Sequence, residues 1–228
     1  MNPGKARDNF FGNRIVYKLN KKVFITEKHI YKKRCLMKKK GNDEGQGEVY
    51  HYSRTRGWML DNWLRRLFQN PKKIVGPYVK PGMTAIDIGC GPGMFTLAMA
   101  GMVGDTGKVI AVDIQQEMLD VVKTKSMQQN LSARIRFHKS EPDSLGIAEK
   151  ADFILSFYMV HEVPDRDAFL REVRGLLKPG GKYLVVEPAN HVSEEAFGST
   201  VAITQGIGFK PVSYPKIALS RAALFTLT

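Results

Sequence analysis

The feature that most constrains the fold of this chain is a glycine-rich turn between two apolar segments. Residues 85–88 are apolar apart from Asp87 and are typical of a short buried strand. Three glycines spaced two residues apart follow this strand: Gly89, Gly91 and Gly93. A run of good helix formers begins directly after them. Strand, turn and helix N-terminus together predict a crevice in which the backbone approaches a ligand closely.

An acid stands at a distance from this turn that is characteristic of nucleoside binding. A second apolar segment ends in Asp113, twenty residues after Gly93. An acid at that offset typically binds the hydroxyl groups of a ribose. Asp113 is also well placed to cap a helix that begins near Gln115, so both roles stay open.

The turn does not fit the fingerprint of dinucleotide-binding proteins. That fingerprint requires a further glycine three residues after the second one, and the two registers place Met94 or Thr96 there. Asp87, just before the turn, would also repel a pyrophosphate. A ligand with positive charge and no phosphate suits the turn better. S-adenosylmethionine, which carries an ammonium and a sulfonium group, is such a ligand.

The pattern acid-x-Gly-x-Gly-x-Gly at residues 87–93 resembles the first motif of the class I S-adenosylmethionine-dependent methyltransferases. The order of elements resembles that family from Thr84 to Thr228. The resemblance implies an α/β fold with a Rossmann-like, doubly wound, seven-stranded sheet, mostly parallel with one antiparallel strand near the C-terminus. It also implies S-adenosyl-L-methionine as cofactor and S-adenosyl-L-homocysteine as product.

The chain from residue 84 onward alternates strand and helix patterns, which predicts parallel strands with right-handed crossovers. Strands are predicted at 84–88, 108–113, 134–138, 152–157 and 182–187. Helices are predicted at 59–68, 71–75, 93–103, 115–128, 166–177 and 193–205. Two further runs after residue 208 predict an antiparallel pair that closes one edge of the sheet.

The length of 228 residues suffices for one domain with an extension. We expect a basic, mobile extension at 1–41, a linker and helices covering the site at 42–80, and the methyltransferase domain at 81–228. No apolar run approaches the ~20 residues of a membrane span. The two cysteines, Cys35 and Cys90, predict no disulfide and favour a reducing, cytoplasmic location.

The formal net charge of +13 is concentrated at the N-terminus. Residues 1–41 contain 13 Lys/Arg and 2 Asp/Glu, whereas residues 42–228 contain 22 and 20. The basic extension is interpreted as a solvated tail, and the alternative is an arm that binds RNA. A nucleic-acid partner is not favoured, because aromatic residues do not alternate with the lysine clusters. A third hypothesis is that the native protein begins at Met37.

We expect the cofactor at the carboxyl ends of the parallel strands, where open sheets bind their ligands. The resemblance implies that these residues after the first two strands bind it: Asp87, Gly89, Gly91, Gly93, Asp113 and Ile114.

The third and fourth strands are expected to contribute further cofactor contacts. After the third strand, the resemblance implies that Glu141 and Pro142 contact the adenine, with Asp143 as a rival acid. At the end of the fourth strand, it implies contacts from Ser156 and Phe157.

Three polar residues beyond the fourth and fifth strands are candidates for contact with a methyl acceptor: Tyr158, His161 and Glu187. His161 is a candidate general base near neutral pH, although a lone histidine is also often structural. The five histidines are scattered without ligand spacing, so no metal site is predicted.

These observations predict a methyltransferase that acts on a small-molecule acceptor. The chain lacks both the Asn/Asp-Pro-Pro-aromatic motif and the Pro-Cys nucleophile, which counts against methylation of bases and glutamine. Two alternatives stay open: an RNA- or ribosome-associated methyltransferase that uses the basic arm, and a cofactor-binding protein without turnover.

Overall fold

The computed structural model of the chain describes residues 69–227. The predicted basic extension, the linker, the helix at 59–68 and the hypothesis about Met37 concern residues outside this described part.

Seven strands in this described part form a single sheet. They are β1 (Thr84–Ile88), β2 (Lys108–Asp113), β3 (Ile135–Lys139), β4 (Ala151–Phe157), β5 (Leu177–Pro188), β6 (Phe209–Ser213) and β7 (Ser220–Leu227). Their order in the sheet is β3-β2-β1-β4-β5-β7-β6. Neighbours among β1 to β5 pair in parallel, whereas β7 runs antiparallel to both β5 and β6. The predicted fold class and the antiparallel C-terminal pair are confirmed.

Within the described residues, five helices accompany the sheet: α1 (Pro71–Val75), α2 (Met94–Val103), α3 (Gln116–Gln128), α4 (Arg166–Leu176) and α5 (Glu194–Gly206). Short 3₁₀ turns occupy Ser132–Arg134 and Val160–Glu162. One core cluster contains the buried faces of α4 and α5, and a second contains those of α1, α2 and α3. Helices therefore cover both faces of the sheet, as in doubly wound folds. Within residues 69–227, no helix is both long enough and apolar enough to cross a membrane.

The central strands are buried on both faces because their side chains alternate between the two clusters. On β4, Phe153 and Leu155 belong to one cluster and Ile154 to the other, and all three are fully buried. A strand covered in this way has few solvent-facing positions along its length. Polar residues that meet a ligand must therefore lie at the strand ends.

Helix α4 begins as predicted but ends before the predicted Pro-Gly-Gly stop. The carboxylate of Asp165 caps its start by accepting a hydrogen bond of 3.0 Å from the backbone N–H of Ala168. Leu177, expected to be the last helical residue, has extended dihedrals and pairs with Ala151 of β4. Strand β5 thus starts five residues earlier than expected, because this pairing draws Leu177 into the sheet.

The sheet order reverses at β1, which has β2 on one side and β4 on the other. At such a switch point the connections leave in opposite directions and open a crevice beyond the carboxyl ends of the strands. The glycine turn follows β1 at this edge.

Candidate functional site

The three glycines of the turn have different surroundings, although all have positive φ. A Cβ added at Gly89 would lie 2.9 Å from Cβ of Met159, and one added at Gly93 would lie 2.8 Å from a methyl carbon of Val122. A Cβ added at Gly91 would have no neighbour within 4 Å. Gly89 and Gly93 therefore allow close packing, whereas Gly91 exposes backbone to open space.

Asp113 ties the end of β2 to the glycine turn. One carboxylate oxygen accepts a hydrogen bond of 2.8 Å from the backbone N–H of Gly91, and the other accepts one of 2.9 Å from that of Gln115. The second bond resembles the capping role considered from the sequence. Each oxygen has further acceptor capacity, which suits it to ribose hydroxyls. Burial raises the pKa of Asp113, although these backbone bonds oppose the rise.

Asp87 is buried beneath the same turn. The hydroxyl of Thr96, in the first turn of α2, donates a hydrogen bond of 2.5 Å to its carboxylate. The net pKa of Asp87 is raised to about 7. Burial is the largest cause of this rise, hydrogen bonds from Thr96 oppose it, and the nearby charge of Asp113 adds to it. In the described part of the chain, no ion pair is found for either carboxyl.

These features fit S-adenosylmethionine. Two buried carboxyls that form no ion pair within residues 69–227 favour a positively charged ligand. The open space at Gly91 admits such a ligand against bare backbone. Asp113 would hold the ribose, and the carboxyl of Asp87 would lie near positive charge.

The loop after β3 lies beside Asp113, because the backbone N–H of Ser140 donates to the Asp113 carbonyl at 3.2 Å. A tight turn follows, closed by a 3.0 Å bond from the Glu141 N–H to the Ser144 carbonyl. Glu141, Pro142 and Asp143 are all exposed on this turn. The structure thus places both candidate acids on an exposed turn beside Asp113, and their contact with the adenine stays a prediction.

Ser156 and Phe157, expected to touch the cofactor, direct their side chains into the core. The Ser156 hydroxyl accepts a hydrogen bond of 3.2 Å from Tyr183, and the Phe157 ring lies 4.3 Å from that of Phe95 between centroids. A cofactor contact at these positions would be made by backbone. Ile114, in contrast, is 39% exposed at the same edge of the sheet.

The Tyr158 hydroxyl is part of a hydrogen-bonded network of polar side chains. Tyr158 has a φ of 61°, which is unusual for a residue with a side chain. Its hydroxyl accepts a 2.6 Å bond from the Gln69 side-chain amide and lies 2.6 Å from the Ser220 hydroxyl. Gln69 is itself buried and also donates to the Ala218 carbonyl. This network joins the turn after β4 to the start of β7.

His161 and Glu187 form a direct pair. Nδ1 of His161 lies 2.5 Å from one carboxylate oxygen of Glu187, and the His161 backbone N–H donates to the other at 3.3 Å. Glu187 is only 1% exposed. The hydrogen bond that His161 donates to Glu187 raises the pKa of His161, burial lowers it, and the charges of Glu187 and Glu162 raise it.

Sequence reasoning missed three contributors to this site. Met159 packs against Gly89 and so brings the turn after β4 against the glycine turn. The His191 ring lies 5.0 Å from the His161 ring, edge to face. Gln69 reaches Tyr158 across 89 residues of sequence. No local pattern indicates these contacts, since each joins distant segments. Within residues 69–227, no group of three or more potential ligands is arranged to hold a metal ion.

Comparison with known proteins relates this geometry to characterised families. A family described as "Methyltransferase domain" matches residues 79–207. The demethylmenaquinone methyltransferase of Lactobacillus johnsonii is 34% identical over 128 residues, which cover 56% of this chain and 50% of that protein. The ubiquinone/menaquinone biosynthesis C-methyltransferase of Shewanella oneidensis is 34% identical over 109 residues, which cover 47% and 43%. The chain thus spans about half the length of the curated relatives it matches.

Solved structures show the same fold. An S-adenosylmethionine-dependent methyltransferase from Aquifex aeolicus has a TM-score of 0.67 at 23% identity, covering 75% of this chain and 96% of that one. An S-adenosylmethionine-dependent O-methyltransferase from Thermotoga maritima has a TM-score of 0.58 at 20% identity, covering 70% and 65%. The chain belongs to the methyltransferase-domain family, with the class I fold and with S-adenosylmethionine as its cofactor.

Proposed function

We propose that this protein transfers a methyl group from S-adenosylmethionine to a small aromatic acceptor of the quinone type, in its reduced form. The observation that carries the proposal is the contact between Gly89 and Met159. It brings the glycine turn, which Asp113 contacts, against the turn after β4, which carries His161. We call these two turns the cofactor half and the second half of the crevice. A cofactor crevice that adjoins a titratable side chain is suited to group transfer.

The cofactor, when bound, supplies a methyl carbon that its sulfonium has already made electrophilic. The chain itself has to bind, orient and exclude water. Asp113 would hold the ribose hydroxyls in the register set by its bond to Gly91. Burial raises the pKa of Asp87 to about 7, and in its ionised form this carboxyl would place negative charge near the ligand's cationic groups.

The acceptor class is supported by the relatives and by the chemistry of the second half of the crevice. Of the two relatives described above, one is named a demethylmenaquinone methyltransferase and the other a C-methyltransferase of ubiquinone/menaquinone biosynthesis. A quinone is electron-poor and becomes a carbon or oxygen nucleophile only as the hydroquinone, which bears weakly acidic hydroxyls. His161 provides a basic nitrogen where such a hydroxyl would arrive.

A transfer assay tests the proposal. Purified full-length chain is incubated with methyl-labelled S-adenosylmethionine and either 1,4-naphthohydroquinone or a short-chain benzohydroquinone under anaerobic conditions. We expect labelled organic product and stoichiometric S-adenosylhomocysteine, and less of both in Asp113→Ala when the cofactor concentration is below saturation. Cofactor binding without transfer to any hydroquinone would contradict the proposed acceptor class.

The same assay separates the alternatives raised by the sequence. Label that appears in RNA, with salt-sensitive binding lost on deletion of the residues before Met37, would favour the RNA-associated enzyme. Binding with no transfer to any acceptor would favour the cofactor-binding protein. A cytoplasmic location is part of the proposal and is compatible with the free, buried thiol of Cys90.

A further inference from the structure

We propose that Nε2 of His161 removes a proton from the acceptor hydroxyl and that Glu187 is the positioning residue that orients this histidine. The inference rests on the proposed function and deepens it. It assigns different roles to His161 and Glu187, which the sequence alone presents alike as candidates for contact with the acceptor.

The hydrogen bonds determine which nitrogen is available. Glu187 receives both the Nδ1 contact at 2.5 Å and the backbone N–H of His161 at 3.3 Å. An ionised carboxylate only accepts, so Nδ1 must carry the proton of a neutral imidazole. Nε2 then carries the lone pair. A buried carboxylate that orients the histidine in this way fixes the tautomer that a base requires.

Burial separates the two roles. The Glu187 side chain is 2% exposed, whereas that of His161 is 19% exposed. Glu187 is the last residue but one of β5, and both oxygens of its carboxylate contact His161 on the 3₁₀ turn. An acceptor can therefore reach the imidazole but not the carboxylate. This replaces the expectation that Glu187 meets the acceptor directly.

Acidic groups near His161 stabilise the imidazolium that proton transfer produces. In the described part of the chain, the charged or titratable groups facing its ring are Glu187 on β5, Glu162 on the same 3₁₀ turn and His191 after β5. Nε2 lies 3.8 Å from a Glu162 carboxylate oxygen, and the His191 ring is 5.0 Å away. Two carboxylates against one neighbouring histidine favour the protonated product.

The proton step balances without a further reactant. The acceptor O–H bond breaks, its electron pair stays on the acceptor oxygen, and the proton moves to Nε2. The resulting phenolate is a stronger nucleophile, at oxygen or at a ring carbon, than the neutral hydroxyl. The imidazolium then returns the proton to solvent through its exposed edge.

A purely structural role for the pair makes different predictions. In that case Glu187 and His161 would only fasten the turn after β4 to the end of β5, and the loss of either would slow all acceptors alike. A base matters only when the acceptor arrives protonated. Acceptor acidity therefore distinguishes the two roles.

The first experiment compares wild type and His161→Gln with two hydroquinones at pH 7.5. One has ordinary hydroxyl acidity, and the other carries electron-withdrawing chlorines and is largely ionised at that pH. We expect kcat to fall by about 10²–10³-fold with the weakly acidic acceptor and by less than about fivefold with the ionised one. An equal loss with both acceptors would overturn the proposal.

The second experiment measures the pH dependence of kcat in Glu187→Gln. Because Glu187 raises the pKa of His161, its loss should move the ascending limb of the profile to lower pH and lower the plateau. Glu187→Asp should restore part of both. The control is Glu149→Gln, which removes ion pairs with Lys108 and Arg136 away from the crevice and should not move the limb. An unmoved limb in Glu187→Gln would overturn the positioning role.

Calorimetry, together with the transfer assay, distinguishes failure of the proposed function from failure of the roles assigned to His161 and Glu187. Each variant is titrated with S-adenosylmethionine to show that it is folded and binds cofactor. If wild type binds cofactor but methylates no hydroquinone, the proposed function fails. If wild type methylates and His161→Gln slows both acceptors equally, only the inference about His161 and Glu187 fails. Should Glu187→Gln fail to fold, the His161→Gln comparison still decides the identity of the base.

Discussion

The carboxylate of Asp113 accepts a 2.8 Å hydrogen bond from the backbone N–H of Gly91, which joins the end of β2 to the turn after β1. The acid expected to hold the ribose thus also shapes the turn on which the cofactor is expected to lie. Loss of this side chain removes a ligand contact and loosens the crevice wall at the same time.

Asp113→Ala is expected to weaken S-adenosylmethionine binding by on the order of tenfold or more, because both ribose contacts and the brace on Gly91 disappear. Titration calorimetry of cofactor and of S-adenosylhomocysteine measures the change. Asp120→Ala, an exposed acid on α3 that bonds Gln116, is the matched control and should bind normally. Unchanged affinity in Asp113→Ala would contradict the assignment of the ribose site.

Gly91→Ala is expected to impair binding far more than folding. The added methyl has no neighbour within 4 Å in the protein, so the cost to folding is the backbone strain of about 1–2 kcal/mol at positive φ. The methyl would, however, occupy the space that the ligand needs. Gly180→Ala is the matched control, since Gly180 also has positive φ and open surroundings but lies within β5, between the paired residues Leu177 and Lys182. Thermal melts and calorimetry should show similar stability losses and a binding loss in Gly91→Ala alone.

Gly93→Ala, in contrast, should reduce the stability of the fold more than Gly91→Ala does. Its methyl would lie 2.8 Å from a Val122 methyl carbon, and overlap in a packed core adds about 1–3 kcal/mol to the strain at φ 82°. Urea unfolding measures this loss. Val122→Ala in the same chain should recover part of it by making room. A stability loss no larger than that of Gly91→Ala would contradict the packing role.

Asp87 should make stability depend on pH in a direction opposite to most carboxyls. Its folded pKa of about 7 lies above the ordinary value of 3.8, so the folded state holds its proton more tightly. The cost of burying the charge therefore grows as pH rises from about 4 through 7. Relative to wild type, the free energy of unfolding of Asp87→Asn should rise from pH 5 to 8, by about 3 kcal/mol at most. A difference that is flat with pH would show that Asp87 is ionised throughout.

Tyr158→Phe is expected to cost about 1–2 kcal/mol of stability, because the hydroxyl contacts to Gln69 and Ser220 are lost. The effect on kcat should be smaller than that of His161→Gln, since the hydroxyl belongs to a structural network. Tyr214→Phe, at a 58% exposed tyrosine, is the control. Urea unfolding and the transfer assay measure both effects. A large loss of rate without loss of stability would instead make Tyr158 a catalytic residue.

The fold was largely predictable because its signals are local. The strand pattern at 84–88 and 108–113 matches β1 and β2 residue for residue, and α1 also has its predicted bounds. The antiparallel end was readable because only a short turn separates its two apolar runs. The early start of β5 was not readable, since Leu177 is drawn into the sheet by Ala151, 26 residues away.

The candidate site was predictable only as a set of positions. Asp87, Asp113 and His161 could be predicted from their positions at or after the ends of strands, because the carboxyl ends of parallel strands lie at one edge of the sheet. The direction in which each side chain points could not be predicted from these positions. Ser156 stands at a strand end, yet the pleat turns its hydroxyl to Tyr183 in the core.

The sequence alone determined the class of fold and the identity of the cofactor crevice, since the period of the apolar residues and the spacing of the glycines act within a few residues. Only the tertiary structure decided the roles of the polar residues around that crevice. The pairing of His161 with Glu187 spans 26 residues and that of Gln69 with Tyr158 spans 89. Such contacts depend on which strands are neighbours and how far each extends, and the packing of the whole sheet sets both.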